Sequence, residues 1–143
     1  MGYAGRRLDT GQAKKFGKWK FPPQFPKNQV LFNFHRIQPQ LDQTVVVVEC
    51  PWGAMRLHQL NILAVSLLGT QISEKQCHLL ATTSQIVLLL DGDTAGQNAA
   101  LKISQRLQAL TRPYIVPLFN GQDPDDFSDA ELLRVVQPFF PGL

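Results

Sequence analysis

Between residues 44 and 136 the chain alternates short apolar runs with stretches of helical periodicity. Residues 44–49 (TVVVVE) form a β-branched run unbroken by polar positions until the glutamate, the pattern of a strand covered on both faces. Pro51 fits the first turn of a helix whose apolar positions include Met55, Leu57 and Leu60. Residues 62–68 predict a second strand, ending at Gly69-Thr70, and Ser73 with Glu74 after it starts a helix running to about Ala81. A third strand over 84–90 stops abruptly at Asp91-Gly92-Asp93-Thr94-Ala95-Gly96. A helix over about 95–110 follows, with Ala99, Leu101, Ile103, Leu107 and Leu110 among its apolar positions. A fourth strand over 114–118, a loop over 120–126 and a last helix over about 129–136 complete the pattern.

Strands alternating with helices across short connections predict an α/β fold: a mostly parallel sheet flanked by helices. Ligands of such sheets bind beyond the carboxyl ends of the strands. Three predicted strand ends deliver Glu49, Gly69-Thr70, and Asp91 with Asp93, and this coincidence is the strongest signal in the chain. Residues 1–40 read instead as an irregular segment. Gly2, Gly5, Gly11 and Gly17 interrupt helices there, and Pro22, Pro23 and Pro26 prevent regular strand pairing. The expected division is therefore a small segment over 1–40 and an α/β domain over 41–143.

Charge sharpens that division. Residues 1–36 hold eight of the 14 basic side chains and a single acid, a balance of +7, whereas 37–143 carry −4. A basic arm ahead of an acidic body suggests a polyanion at one end and metal-binding carboxylates at the other. Tyr3, Phe16, Trp19, Phe21, Phe25, Phe32 and Phe34 interleave with the arm's charges. Cations beside rings suit single-stranded nucleic acid, although most of these rings are expected to pack the arm onto the body. No apolar run approaches the ~20 residues of a membrane helix, and no signal peptide is evident, so a cytoplasmic protein with no membrane partner is expected. Cys50 and Cys77 are too few for a four-ligand zinc site.

Two carboxylates spaced two apart just past a buried strand repel each other, and a divalent cation relieves that repulsion. Hard oxygen ligands point to Mg2+ or Mn2+. Glu49 faces the same site if its strand neighbours that of Asp91. An EF-hand is excluded because Ala95 and Lys102 occupy its fifth and twelfth ligand positions, and no Gly-Lys-Ser/Thr phosphate loop occurs. His35, His58 and His78 are scattered without metal-ligand spacing.

The run 45–49 paired with the later Leu-Leu-Leu-Asp91-Gly-Asp93-Thr-Ala-Gly96 resembles the TOPRIM domain of primases, topoisomerases and some nucleases. Further motifs resemble the bacterial, DnaG-type primase branch: Tyr3-Ala4-Gly5-Arg6, Leu57-His58-Gln59, Ser66-Leu67-Leu68-Gly69-Thr70 and Asp123-Pro124-Asp125. That resemblance implies a basic remnant of the primase N-terminal subdomain over 1–40 and a TOPRIM catalytic domain over 41–143. Glu49 matches the family's general acid/base, also close to metal. Asp91 and Asp93 match its magnesium carboxylates, and Asp123 and Asp125 a later acidic motif on the same face. Arg6, Arg7, Lys14, Lys15, Lys18 and Lys20 match the basic region that guides single-stranded template, while Gly69, Thr70 and Gly96 match structural positions beside the site.

The implied activity is magnesium-dependent, template-directed joining of ribonucleotides on single-stranded DNA. Its substrates are nucleoside triphosphates, and its expected partners are a replicative helicase or a separate zinc-binding domain. The chain departs from the family at Cys50, where glycine usually follows the glutamate. It is also too short for the family's zinc-binding and helicase-docking domains, so a truncated or stand-alone derivative is expected. Alternative functions are a catalytically idle nucleic-acid-binding module of the same fold and a haloacid-dehalogenase-type phosphatase.

Overall fold

The structure, a computed structural model, describes residues 4–37, 43–119 and 121–141. The basic segment departs from the irregular chain that its glycines and prolines predict. β1 (Gly5–Arg6) and β2 (Trp19–Lys20) pair antiparallel, Gly5 opposite Lys20 and Arg6 opposite Trp19. Between them lies α1 (Thr10–Phe16), started by Asp9, whose carboxylate accepts from the Gln12 amide at 2.6 Å. That cap offsets the helix cost of Gly11. The helix stops at Gly17, whose φ of 81° suits glycine best. A 3-10 turn over Lys27–Gln29 and the single turn α2 (Phe34–Ile37) follow. Tyr3 and the expected boundary at 40/41 lie outside the described residues.

The α/β body runs β3 (Thr44–Val48), α3 (Pro51–Gln59), β4 (Ala64–Ser66), α4 (Glu74–Leu80), β5 (Gln85–Leu88), α5 (Thr94–Leu107), β6 (Arg112–Ile115) and α6 (Asp129–Val136). Its sheet has the order β4-β3-β5-β6, with every neighbouring pair parallel. Both faces are covered, as the unbroken valine run requires. Val45, Val47, Ile86 and Leu88 pack with Leu80 of α4 and with Ile103 and Leu107 of α5. Val46, Val48 and Val87 pack with Leu57 of α3 and with Leu132 and Val136 of α6. The chain is an α/β fold with a four-stranded parallel sheet between helices.

Element boundaries move where pattern overreached. β4 is shorter than the run over 62–68, and β6 begins two residues early, carrying Pro113 on an edge strand where its missing N–H costs no ladder bond. On α5 the buried stripe is Ala99, Ala100, Ile103 and Leu107, and Leu101 is exposed. Met55 and Leu110, expected as apolar-face positions, are also exposed. Among the described residues no helix is long and apolar enough to cross a membrane.

The basic segment is fastened along the outer edge of β4. Phe32 and Ser66 exchange both backbone bonds, at 3.0 and 3.2 Å. The Gln76 amide, 1% exposed, donates to the carbonyls of Lys27 (3.0 Å), Val30 (2.8 Å) and Leu67 (3.2 Å). Its oxygen accepts from the Ser73 amide, completing a capping box on α4. Gln76→Ala leaves those groups unpaired and is expected to cost about 2–3 kcal/mol in urea denaturation. A loss below about 0.5 kcal/mol would show that the segment is held by its aromatic packing alone.

Candidate active site

Parallel pairing of β3 with β5 sets Val47 opposite Leu88, so both strands end at the same edge of the sheet. Their continuations carry Glu49 and Asp91. The Asp91 amide donates to Glu49 Oε1 in a long contact of 3.4 Å. Both side chains line a cleft of about 370 Å³ with Cys50, Asp123, Asp125 and Lys18. The neighbouring strands thus bring together the expected glutamate and the first aspartate.

Asp123 and Asp125 arrive through backbone pairing of the loop with Gly92. The Gly92 amide donates to the Gln122 carbonyl at 2.7 Å, and the Gly121 amide donates back to Gly92 at 3.2 Å. A Cβ on Gly92 would stand 2.9 Å from that of Leu118, so only glycine lets the loop close this tightly. Arg56 of α3 holds the loop's far side. Its guanidinium donates to the carbonyls of Asp125 (3.2 Å) and Phe127 (2.6 Å) and to the Asp129 carboxylate (2.9 Å). Nothing in the linear pattern singles out Arg56, because its targets lie about 70 residues away.

At the tip of β4, Leu68 adopts the left-handed region with φ 62°, and Gly69, expected as a structural position beside the site, follows it in the turn with φ 158°. A buried leucine in that region is strained by about 1–3 kcal/mol. Side-chain and backbone bonds hold it: Ser66 Oγ accepts from the Leu68 amide at 3.0 Å and donates to the Glu49 carbonyl at 2.8 Å. The Gly69 amide donates to the same Glu49 carbonyl at 3.1 Å. The serine-leucine-leucine-glycine turn therefore fixes the backbone from which Glu49 projects. Thr70 is exposed and lies outside the cleft lining.

Asp93 is exposed at the rim and outside the lining. It is the N-cap of α5, accepting from the Gly96 amide at 2.7 Å. Gly96 sits against the Asp91 backbone with no room for a side chain.

Burial and crowding of like charge mark the cleft. Burial, then the charge of Glu49 and then those of Asp123, Asp93 and Asp125, push the Asp91 carboxyl up to about 7. Burial also raises Glu49, opposed by its bond from the Asp91 amide. Burial pushes the Cys50 thiol up to about 12, which keeps it a proton donor. Its Sγ lies 3.1 and 3.3 Å from the two Asp125 oxygens and satisfies that carboxylate. The side chain where the family has glycine is thus tucked aside onto Asp125.

The basic residues divide into two groups. Arg7 donates to the carbonyls of Phe16, Gly17 and Trp19 at 2.8–3.3 Å and holds the turn of the segment together. Lys18 pairs with Asp123 at 3.1 Å. Arg6, Lys14, Lys15 and Lys20 are exposed, and Arg6 lies 5.9 Å above the ring of Trp52, an exposed aromatic at the start of α3. Phe21 and Phe25 stack on each other, and Phe32 and Phe34 pack against the core, whereas Phe16 is exposed.

Among the described residues no three His, Cys, Asp or Glu side chains close into a metal cage. An open set of strand-tip carboxylates instead suits magnesium, which keeps several waters and takes one or two carboxylates plus phosphate oxygens. Asp91, Glu49, Asp123 and Asp125 offer hard oxygens of this kind, and their mutual repulsion is the condition such an ion relieves.

Comparison with known proteins agrees with this geometry. The Toprim-like family matches residues 46–128. The DNA primase of Geobacillus stearothermophilus is 32% identical over 131 residues, spanning 89% of this chain and 22% of that protein. The DNA primase of Staphylococcus epidermidis is 30% identical over 147 residues, covering 96% and 24% respectively. The chain therefore spans about a fifth to a quarter of the length of these curated relatives. Among solved structures, the zinc-binding and RNA polymerase domains of Aquifex aeolicus primase superpose with a TM-score of 0.75 at 29% identity, covering 96% of this chain and 36% of that one. A DNA primase domain from Pseudomonas aeruginosa gives 0.73 at 29%, covering 95% and 46%. The sheet order, the strand-tip acids and these relatives agree: the chain belongs to the Toprim-like family, and its relatives are the DnaG-type DNA primases.

Proposed function

We propose that this chain carries the magnesium-dependent nucleotide-joining centre of a primase, with residues 41–143 as the TOPRIM catalytic domain and residues 1–40 as a remnant of the primase N-terminal subdomain. The observation that carries the reading is the meeting of Glu49 and Asp91 from adjacent parallel strands in one cleft with Asp123 and Asp125. Asp91, Asp123 and Asp125 beside Glu49, with Asp93 at the rim, would hold magnesium or manganese, which would supply charge neutralisation for a bound triphosphate. Glu49 is the general base. Burial raises its affinity for protons, and it takes the proton of the attacking 3′-hydroxyl as the oxygen bonds to the α-phosphorus and pyrophosphate leaves. Arg6, Lys14, Lys15 and Lys20 present exposed cations to the phosphates of single-stranded DNA. A separate zinc-binding domain and a replicative helicase complete the assembly, in keeping with the fraction of the relatives' length that this chain spans.

The test is dinucleotide synthesis on a single-stranded template with magnesium titrated into the full chain. Glu49→Gln and Asp91→Asn are expected to remove it. A second reading, a module that holds single-stranded DNA without chemistry, draws on Lys18, which already neutralises part of the acid cluster. It predicts wild-type DNA affinity in Asp91→Asn and no synthesis by the unmodified chain.

A further inference from the structure

One contact in the cleft plays no part in the nucleotide-joining reading. Lys18 stands 105 residues before Asp123, yet its Nζ lies 3.1 Å from Asp123 Oδ2. It lines the acidic cleft itself, with Gly17 and Trp19 beside it. Its ammonium also feels the fields of Asp125 and Asp91. The basic segment therefore places a monovalent cation against the acid cluster, on Asp123.

We infer that Lys18 is the resident cation of this cleft, and that a divalent ion must displace its ammonium from Asp123. Lys18 thereby sets how tightly the cleft holds metal. The inference rests on the cleft being a magnesium site and adds a determinant of its affinity.

Two observations support displacement rather than a permanent tie. The pair lies at the mouth of the cleft, with the Lys18 side chain 57% exposed against 20% for Asp123. An ion pair so open to water is weak and screened by salt, whereas a small divalent cation interacts with the whole cluster. The docked segment is also imperfectly satisfied. Among the described residues, Trp19 Nε1 is the one buried side-chain nitrogen or oxygen without a hydrogen-bond partner. A buried donor left unpaired disfavours the docked position. Opposing it are the three carbonyl bonds from Arg7, which keep the segment folded and make a swing of the Lys18 side chain the smaller movement.

The experiment is calorimetric titration of Mg2+ into the full chain as wild type, Lys18→Met and Lys18→Arg. The Nζ resonance of Lys18 is followed by NMR in the unmodified protein. Lys18→Met is expected to bind Mg2+ about fivefold more tightly than wild type, the scale of one exposed ion pair, and Lys18→Arg within about twofold of wild type. The Lys18 resonance is expected to move toward that of a free lysine as Mg2+ saturates. Weaker or unchanged binding in Lys18→Met overturns the inference, as does a Lys18 resonance that stays fixed through saturation. Should Lys18→Met fail to fold, the resonance in the unmodified chain decides alone. Absence of Mg2+ binding in wild type with binding in Lys18→Met supports displacement strongly. Absence in both removes the magnesium reading and this inference together.

Discussion

Gly96→Ala is expected to lose about 3 kcal/mol of stability and, with it, the placement of Asp91. A Cβ at this position would stand 2.2 Å from the Asp91 carbonyl oxygen and 2.8 Å from its carbon. Both atoms are backbone, so no rotamer relieves the clash. Either the first turn of α5 backs away from the tip of β5, or Asp91 leaves the cleft. Moving α5 breaks the Asp93 cap on the Gly96 amide and strips Ala99 and Ile103 from the core. The melting temperature should fall by about 10 °C, and magnesium should no longer stabilise what remains folded. Gly121→Ala is the control: it has the same chemistry and a φ of 70°, but nothing within 4 Å of the added methyl. It should cost only about 1 kcal/mol, the conformational term alone. Equal losses in the two variants would mean that α5 does not begin against Asp91.

That tight start of α5 also shows what the linear pattern conveys and what it omits. Apolar runs of four or five β-branched and leucine residues, each followed by a helical period, point to a parallel sheet covered on both faces. In such a sheet the residues just past the runs, Glu49 and Asp91, share an edge. The pairing of β3 with β5 meets that condition. Local pattern is silent on long-range closure. Arg56 reaches across about 70 residues to hold the Asp123–Asp125 turn, and the second acid pair reaches the cleft through Gly92 and Gln122 backbone bonds. Leucine gives no sign of a left-handed backbone, so the strain at Leu68, just before the turn glycine Gly69, is invisible in the linear pattern. The basic arm misled in the other direction. Glycine and proline counts suggested irregular chain, yet a single Asp9 cap starts a helix across Gly11, and Gln76 supplies an anchor. Charge counting grouped Lys18 with the arm's other cations, whereas folding pairs it with Asp123 at the mouth of the cleft.

Asp91→Asn is expected to stabilise the metal-free protein above neutral pH and to lower the proposed nucleotide joining by on the order of 10³-fold. Burial and the surrounding carboxylates raise the Asp91 carboxyl from 3.8 to about 7. The folded state therefore holds this proton more tightly than the unfolded chain does. Between those two values the native state binds more protons, so stability falls as pH rises and the contribution is gone above about 7. Asparagine carries no charge to bury, and its variant escapes that loss. With solvent screening of the partly open cleft allowed for, the difference at pH 8 should be on the order of 2 kcal/mol, or about 5 °C in melting temperature. Near pH 4 wild type and variant should nearly coincide. Urea denaturation at pH 4, 6 and 8 in chelator measures this directly, and magnesium added at pH 8 should raise the wild-type curve while leaving Asp91→Asn where it was. The opposite signs are the diagnostic feature: a carboxylate kept for packing would lose stability when neutralised, whereas one kept to meet a cation gains it. A wild-type pH profile in the variant would place the cleft's repulsion elsewhere, with Glu49 as the next group to neutralise.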